Sequence, residues 1–164
     1  MNSNEKLGIK GNLNIVLTDA QGRIKDTRQV TNKVTANGLN HILLRLGTST
    51  PANFMTHMAV GKTTNTTPEG GSSSALLDET GVRVATTGTV VANVITYVAD
   101  FVADTDGAGA GVANPVADTA VTEAGIFTQS TLGGILLCRT VFAVVNKLTT
   151  DSLRITWKIT LTAA

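Results

Sequence analysis

The chain has 164 residues, a formal net charge of +1, one cysteine and only 15% charged residues. Its length fits one domain with a real core, and the lone Cys138 excludes an internal disulfide and any cysteine-cluster metal site. The low charge provides no cluster of lysines and arginines for a phosphate backbone, so we expect no nucleic-acid partner.

Residues 1–6 are polar and predict a flexible arm ahead of a single β-rich domain over 7–164. The arm lacks the apolar core of a signal peptide, and no run of 18 apolar residues exists, so we expect folding in the cytoplasm and no membrane partner. Alternating apolar and polar residues over 7–18 predict a half-buried strand. Residues 19–22 predict a turn, and 23–34 the return strand of a hairpin.

One short helix follows this hairpin. Thr35 can cap its start, and Gly47 stands where a C-terminal cap is expected. Apolar residues recur between them at helical spacing: Leu39, Ile42, Leu43 and Leu46. Because a helix of about three turns is stable only when such a stripe is buried, we expect Leu39, Ile42 and Leu46 in the core.

The rest of the chain predicts strands separated by polar or glycine-rich loops. The strands are expected over residues 54–61, 82–85, 89–102, 121–128, 135–143 and 153–161. Mobile loops are expected near 62–74 and 104–118. Strand patterns also predict four buried aromatic residues: Tyr97, Phe101, Phe127 and Trp157.

With 27 threonines and many valines, which are β-branched, the composition favours strands over helices. The pattern predicts seven or eight strands and one helix, and most connections are too short for crossover helices. The predicted fold is therefore mainly β, an antiparallel β-sandwich or a jelly-roll-like barrel.

Two short motifs resemble ligand-binding loops but lack residues that such loops require. Gly61-Lys62-Thr63 follows a strand, but a phosphate-binding loop needs a glycine where Thr56 stands, and a helix after the lysine. Asp104-Thr105-Asp106-Gly107 opens like a calcium loop, yet glycine and alanine occupy the later ligand positions. We predict no cofactor and no metal.

No catalytic set assembles from the remaining reactive residues. His41 and His57 have no ligand-type neighbours at metal spacing, and Cys138 lies in an apolar strand. Glu123 could be a general base whose pKa is raised by burial. Alternatively, it could be a structural group that accepts hydrogen bonds from backbone amides or pairs with Arg83 or Arg139. We favour the structural interpretation and expect no enzymatic activity.

The order of the segments resembles a known group of proteins. The matching segments are NKVT at 32–35, GL at 38–39, MAVG at 58–61, LLDE at 76–79, Arg83, residues 94–101, VTEAGIF at 121–127, LCRTVF at 137–142 and the strand at 153–161. This pattern over about 30–162 is similar to small virion proteins of tailed bacteriophages. It resembles more loosely the attachment domain at the start of phage tail-collar fibre proteins.

A fibre protein continues into a shaft and a receptor-binding tip, whereas this sequence stops at Ala164. The resemblance therefore implies a free-standing module of the virion, such as a capsid decoration (cement) protein that bridges capsid subunits. Its expected partners are other virion proteins, chiefly the major capsid protein, and further copies of itself in a homo-oligomer, a trimer by our expectation. The alternatives are a tail, collar or head–tail connection component, and a carbohydrate-binding β-sandwich.

Overall fold

The structure is a computed structural model that describes residues 7–47, 53–65, 74–103 and 118–163. The predicted arm and most of the two predicted mobile loops lie outside these residues. The described part contains nine strands and one helix. In chain order these are β1 (Leu7–Thr18), β2 (Ile24–Val34), α1 (Ala36–Gly47), β3 (His57–Gly61), β4 (Glu79–Ala85), β5 (Gly88–Val91), β6 (Val94–Phe101), β7 (Thr119–Phe127), β8 (Leu136–Lys147) and β9 (Ser152–Ala163).

The strands form two antiparallel sheets that share one corner. The five-stranded sheet has the order β2-β1-β9-β6-β5, and the four-stranded sheet has the order β4-β3-β7-β8. At the shared corner, β2 pairs with β8 through only Lys33 with Arg139 and Val34 with Cys138. The outermost strands β4 and β5 do not pair with each other. The predicted mainly β sandwich is therefore confirmed, and the alternative of a closed barrel is wrong.

The main core lies between the inner faces of the two sheets. In the five-stranded sheet, Trp157 on β9 lies between Leu13 on β1 and Tyr97 on β6, and all three side chains are buried. Phe101 is fully buried in the same core, as predicted. Phe127 is also fully buried, but it belongs to a smaller cluster with Ala59, Leu76 and Leu136.

The long strand predicted over 89–102 is two strands joined by a tight turn. β5 and β6 form a hairpin in which Val91 pairs with Val94. Ala92 adopts a positive φ of 52°, and Asn93 ties the turn to β9 through its side-chain nitrogen, which donates to Leu161 O at 2.6 Å. The prediction of one continuous strand is wrong because neither glycine nor proline marks this turn.

Helix α1 packs against β8 on a different side from its apolar stripe. Its buried residues are Gly38 and His41. Leu39 and Leu46, predicted to be core residues, are 43% and 81% exposed, so the prediction is wrong for both; Ile42 is partly buried. The reason is steric. Gly38 lets the helix come so close to β8 that an added Cβ would overlap the β8 backbone, and this contact turns the stripe away from the core.

Candidate protein-binding interface

Thr35 fixes the start of α1 against β8. Its Oγ1 accepts a hydrogen bond from Gly38 N at 2.9 Å and donates one to Leu136 O at 2.6 Å. Its backbone amide donates to Leu137 O at 3.0 Å. The predicted N-cap is therefore also a buried link to the sheet. The first turn of the helix is held in place, and that orientation sets the direction of the apolar stripe.

The inner face of the five-stranded sheet continues past the main core, at the end where β1 begins and β9 ends. Leu7, Ile9 and Leu161 extend the buried alternation of these two strands, but Leu7 is 68% exposed and the other two are only partly buried. These residues and α1 bound an open groove of about 870 Å³, which we call the α1 groove. The core of the sandwich is thus continuous with an apolar surface that solvent reaches.

The other wall of the α1 groove is the apolar stripe of the helix. Its members lie at i, i+3, i+4 and i+7, the spacing of one helix face: Leu39, Ile42, Leu43 and Leu46. Leu43 is 66% exposed, and Leu46 more so. Contiguous exposed aliphatic side chains of this kind typically mark a binding surface.

A partly buried polar contact lies at the floor of the groove. Asn32 Oδ1 accepts a hydrogen bond from Trp157 Nε1 at 2.7 Å. Gly11 pairs with Asn32 across β1 and β2, and an added Cβ there would overlap the Asn32 amide. The indole nitrogen of the largest core residue is therefore satisfied where the core meets the groove.

Charge is distributed unevenly along the five-stranded sheet. Among the described residues that border the α1 groove, Lys10 is the single charged one, and it alternates with Ile9 and Gly11, so it belongs to the outer face of β1. The acidic groups of this sheet lie near its opposite end in four ion pairs of 2.6 to 3.0 Å: Arg23 with Asp19, Lys25 with Asp151, Arg28 with Asp26, and Arg154 with Asp100. Arg154 pairs with Val16, six residues from Lys10, or about 20 Å at the rise of an extended strand.

Glu123 has the structural role that we favoured from the sequence. Its carboxylate accepts a hydrogen bond from Arg139 Nε at 2.8 Å and from the backbone amides of Leu77 and Asp78 at 3.2 and 2.8 Å. Arg83, the other arginine considered, instead pairs with Glu79 in a bidentate contact at 2.8 and 3.0 Å. The guanidinium ties Glu123 to β8, and the two amides tie it to the segment ahead of β4.

The two histidines lie in different places and form no pair. His41 is buried beside β8, and burial lowers its pKa, with the charge of Arg45 adding to the effect. It is buried even though it lies off the apolar stripe of the helix. His57 is half-buried on β3; its Nδ1 lies 2.8 Å from Thr56 Oγ1, and burial followed by Arg83 lowers its pKa. Each histidine thus favours its neutral form.

The other groups considered from the sequence are buried, bonded to the backbone or outside the described residues. Burial raises the pKa of Cys138 to about 12, so its thiol stays protonated and unreactive. The amide of Lys62, part of the motif tested for phosphate, donates to Asp78 O at 3.0 Å. The rings of Trp157 and Tyr97 lie in the core and are not available to stack on a sugar. The aspartates considered for calcium, Asp104 and Asp106, lie outside the described residues.

Sequence reasoning did not identify the α1 groove, because it assigned the leucine stripe of α1 to the core. The alternation of β1 and β9 predicts that Leu7, Ile9 and Leu161 are inner-face residues, and this is where they lie. No local signal indicates that the inner face extends beyond the core. That follows only from the end-to-end pairing of β1 with β9, in which Leu7 pairs with Ala163.

The chain matches no protein-family model, no curated protein and no solved structure. Residues 7–47, 53–65, 74–103 and 118–163 contain no group of three or more His, Cys, Asp or Glu side chains that could hold a metal ion. Helix α1, with 12 residues, is too short to cross a membrane. The groove described above is therefore characterised by its own geometry alone.

Proposed function

We propose that this chain is a non-enzymatic structural protein that binds other protein chains through the α1 groove. The supporting observation is the leucine stripe of α1, which lines a groove rather than entering the core. A short helix gains most of its stability from burial of its apolar face. In α1, the described residues leave most of that face uncovered. Binding of a partner would stabilise both the helix and the assembly.

We further propose that the assembly is the particle of a tailed bacteriophage, put together in the host cytoplasm. There the chain would be a capsid decoration (cement) protein that bridges subunits of the major capsid protein, itself a homo-oligomer and by our expectation a trimer. This proposal rests on the resemblance in segment order. It also agrees with the physics of cement proteins, in which many weak contacts to repeated neighbours add up to a strong one. The alternative position is in the tail, the collar or the head–tail connection.

The copy number in purified particles tests the proposed position. Quantitative gel densitometry should give this chain a copy number of the same order as that of the major capsid protein. A ratio far below this, typical of a small ring, would move the chain to the tail or collar. Its complete absence from finished particles would refute a virion role.

A matched pair of substitutions tests the proposed surface. Leu46 in the groove and Leu132 in the loop between β7 and β8 are both 81% exposed. Leu46→Gln should reduce incorporation into particles, because it places an amide in the apolar wall. Leu132→Gln changes exposed apolar area by a similar amount elsewhere and should incorporate normally. Equal incorporation of the two variants would exclude the α1 groove as the binding surface.

A further inference from the structure

We infer that the outer face of the five-stranded sheet holds a second binding site, which takes an acidic segment of a different protein chain. The site is an open pocket of about 240 Å³ where β2, β1 and β9 lie side by side, and we call it the amide pocket. Every lining residue is polar: Asn12, Asn14, Gln29, Thr156 and Lys158. The inference goes beyond the proposed function, because this face points away from the core and shares no residue with the leucine stripe of α1.

The strand register builds the amide pocket from side chains of three adjacent strands. Asn12 pairs with Lys158 on β9, and Asn14 pairs with Gln29 on β2 and with Thr156 on β9. Residues directly opposite each other in antiparallel strands have side chains on one face, about 5 Å apart. Both asparagines alternate with buried residues of β1, so these rows face away from the core.

The polar groups of the amide pocket are not used inside the fold. Within the described ranges, none of its five side chains takes part in a hydrogen bond or an ion pair. Each of the three carboxamides offers both donors and an acceptor, as the peptide groups of an extended chain do. They can therefore bond to the backbone of a segment that lies across the strands.

Two lysines give this face a positive charge that no described carboxylate neutralises. Lys158 lines the pocket, and Lys10 is its diagonal neighbour because Lys10 pairs with Thr160; such neighbours lie about 7–8 Å apart. Both lysines are exposed. The ion pair of Arg154 with Asp100 lies four residues, or about 13 Å, further along β9. Acidic side chains of a partner would therefore be attracted to this end of the face.

The charges of the chain disfavour a second copy as the occupant. Two copies stacked pocket to pocket would bring Lys10 and Lys158 toward the same residues of the other copy, and like charges across an interface oppose association. Among the described acids, only Asp78 and Asp118 lie outside the six ion pairs, and Asp118 accepts the amide of Thr149 at 2.9 Å. A partner with several acidic side chains gives the complementary arrangement.

Two synthetic peptides of about eight residues, about 26 Å when extended, test the inference on the isolated full chain. Both alternate threonine with a charged residue, which is glutamate in one peptide and lysine in the other. The side-chain NH₂ signals of Asn12, Asn14 and Gln29 in nitrogen–proton correlation NMR spectra report binding at the pocket itself. The glutamate peptide should shift these signals and the lysine peptide should not. Added salt should weaken the effect.

Charge-reversal variants assign the effect to the lysines of this face. Lys158→Glu should weaken binding of the glutamate peptide about tenfold, because an attractive contact becomes a repulsive one. Lys62→Glu is the matched control. Lys62 is also exposed, but it follows β3 in the other sheet, and its replacement changes the net charge by the same amount. This variant should bind the peptide as the parent does.

Three results would overturn the inference: unshifted amide signals, equal binding of the two peptides, or equal losses in Lys158→Glu and Lys62→Glu. A dimer that Lys158→Glu abolishes would also overturn it, because the pocket would then belong to a second copy. Tighter binding of a single-stranded DNA oligonucleotide of equal charge would do the same by assigning the lysines to a phosphate backbone. The titration uses neither particles nor the α1 groove, so its failure is distinguishable from failure of the proposed function.

Discussion

Glu123 on β7 and Arg139 on β8 form an ion pair of 2.8 Å in which both side chains are excluded from solvent. The same carboxylate accepts the amides of Leu77 and Asp78, so one acidic group joins two strands and the segment ahead of β4. A buried charge is tolerated only when it is paired and hydrogen-bonded in this way. The contact explains how a fully buried glutamate is accommodated in the fold.

Replacing Glu123 by glutamine should destabilise the protein strongly. The substitution keeps the size of the side chain but leaves the Arg139 guanidinium buried without its counter-charge, which costs about 3–5 kcal/mol in comparable cases. Urea unfolding at neutral pH measures the change. Asp100→Asn is the control, because it breaks a pair with Arg154 that is exposed to solvent, and it should leave the midpoint unchanged. Equal effects of the two substitutions would contradict the role given to burial.

Removing the indole of Trp157 should be equally costly. Trp157→Ala empties the centre of the main core and is expected to lower the free energy of unfolding by about 3–5 kcal/mol. Trp157→Phe keeps one six-membered ring but loses the pyrrole half of the indole and the hydrogen bond to Asn32, so its cost should be smaller, about 1–3 kcal/mol. Thermal unfolding followed by circular dichroism gives both values. If Trp157→Ala melts like the parent, the ring does not lie where the structure places it.

The strands of the five-stranded sheet were predictable because its inner face is buried and its outer face is largely exposed. β9 is the clearest case: Leu153, Ile155 and Trp157 point into the core, while the intervening residues face outward. The hairpin between β5 and β6 escaped prediction because Ala92 adopts a positive φ that alanine seldom adopts, and the contact that holds it comes from β9, distant in sequence. Local pattern cannot report a turn stabilised by a remote strand.

The α1 groove shows a second limit of sequence reasoning. An apolar stripe at helical spacing indicates that one face of the helix is buried. It does not indicate whether the residues that bury it belong to the same chain. The deciding residue is Gly38, whose missing side chain permits the close approach of α1 to β8 and turns the leucines outward. The leucine stripe of α1 was therefore assigned to the core from its sequence. Its exposed position follows from the packing of Gly38 against β8.

Gly38 and Gly47 should respond in opposite ways to alanine. At Gly38 an added Cβ would overlap the backbone of β8, which cannot move aside, so Gly38→Ala should lower stability by about 1–3 kcal/mol. At Gly47 nothing lies within 4 Å of the added atom, and its φ is not positive. Gly47→Ala should therefore be neutral or stabilising by up to about 1 kcal/mol, because alanine loses less backbone entropy in a helix. Urea unfolding of the pair measures the contrast; a destabilisation confined to Gly47→Ala would contradict the helix placement.

Stability should decrease on acidification through the titration range of histidine. Burial lowers the pKa of His41 below its ordinary value of 6.5 in the folded chain, and the charge of Arg45 lowers it further. Between the two pKa values the unfolded chain binds more protons than the folded one, so the free energy of unfolding rises with pH there. Stability is fully present above pH 6.5 and is lost as the pH falls toward the folded-state pKa.

His41→Gln isolates the contribution of this residue to the pH dependence. Glutamine is polar and does not titrate, so the variant should show a smaller loss of stability between about pH 7.5 and pH 5 than the parent. Part of the slope should persist, because burial also lowers the pKa of His57, and the double variant with His57→Gln should remove most of it. Urea midpoints measured across this range at constant ionic strength provide the comparison. A parent protein as stable near pH 5 as at pH 7.5 would mean that neither histidine has a lowered pKa in the folded state, which would contradict the burial described for His41.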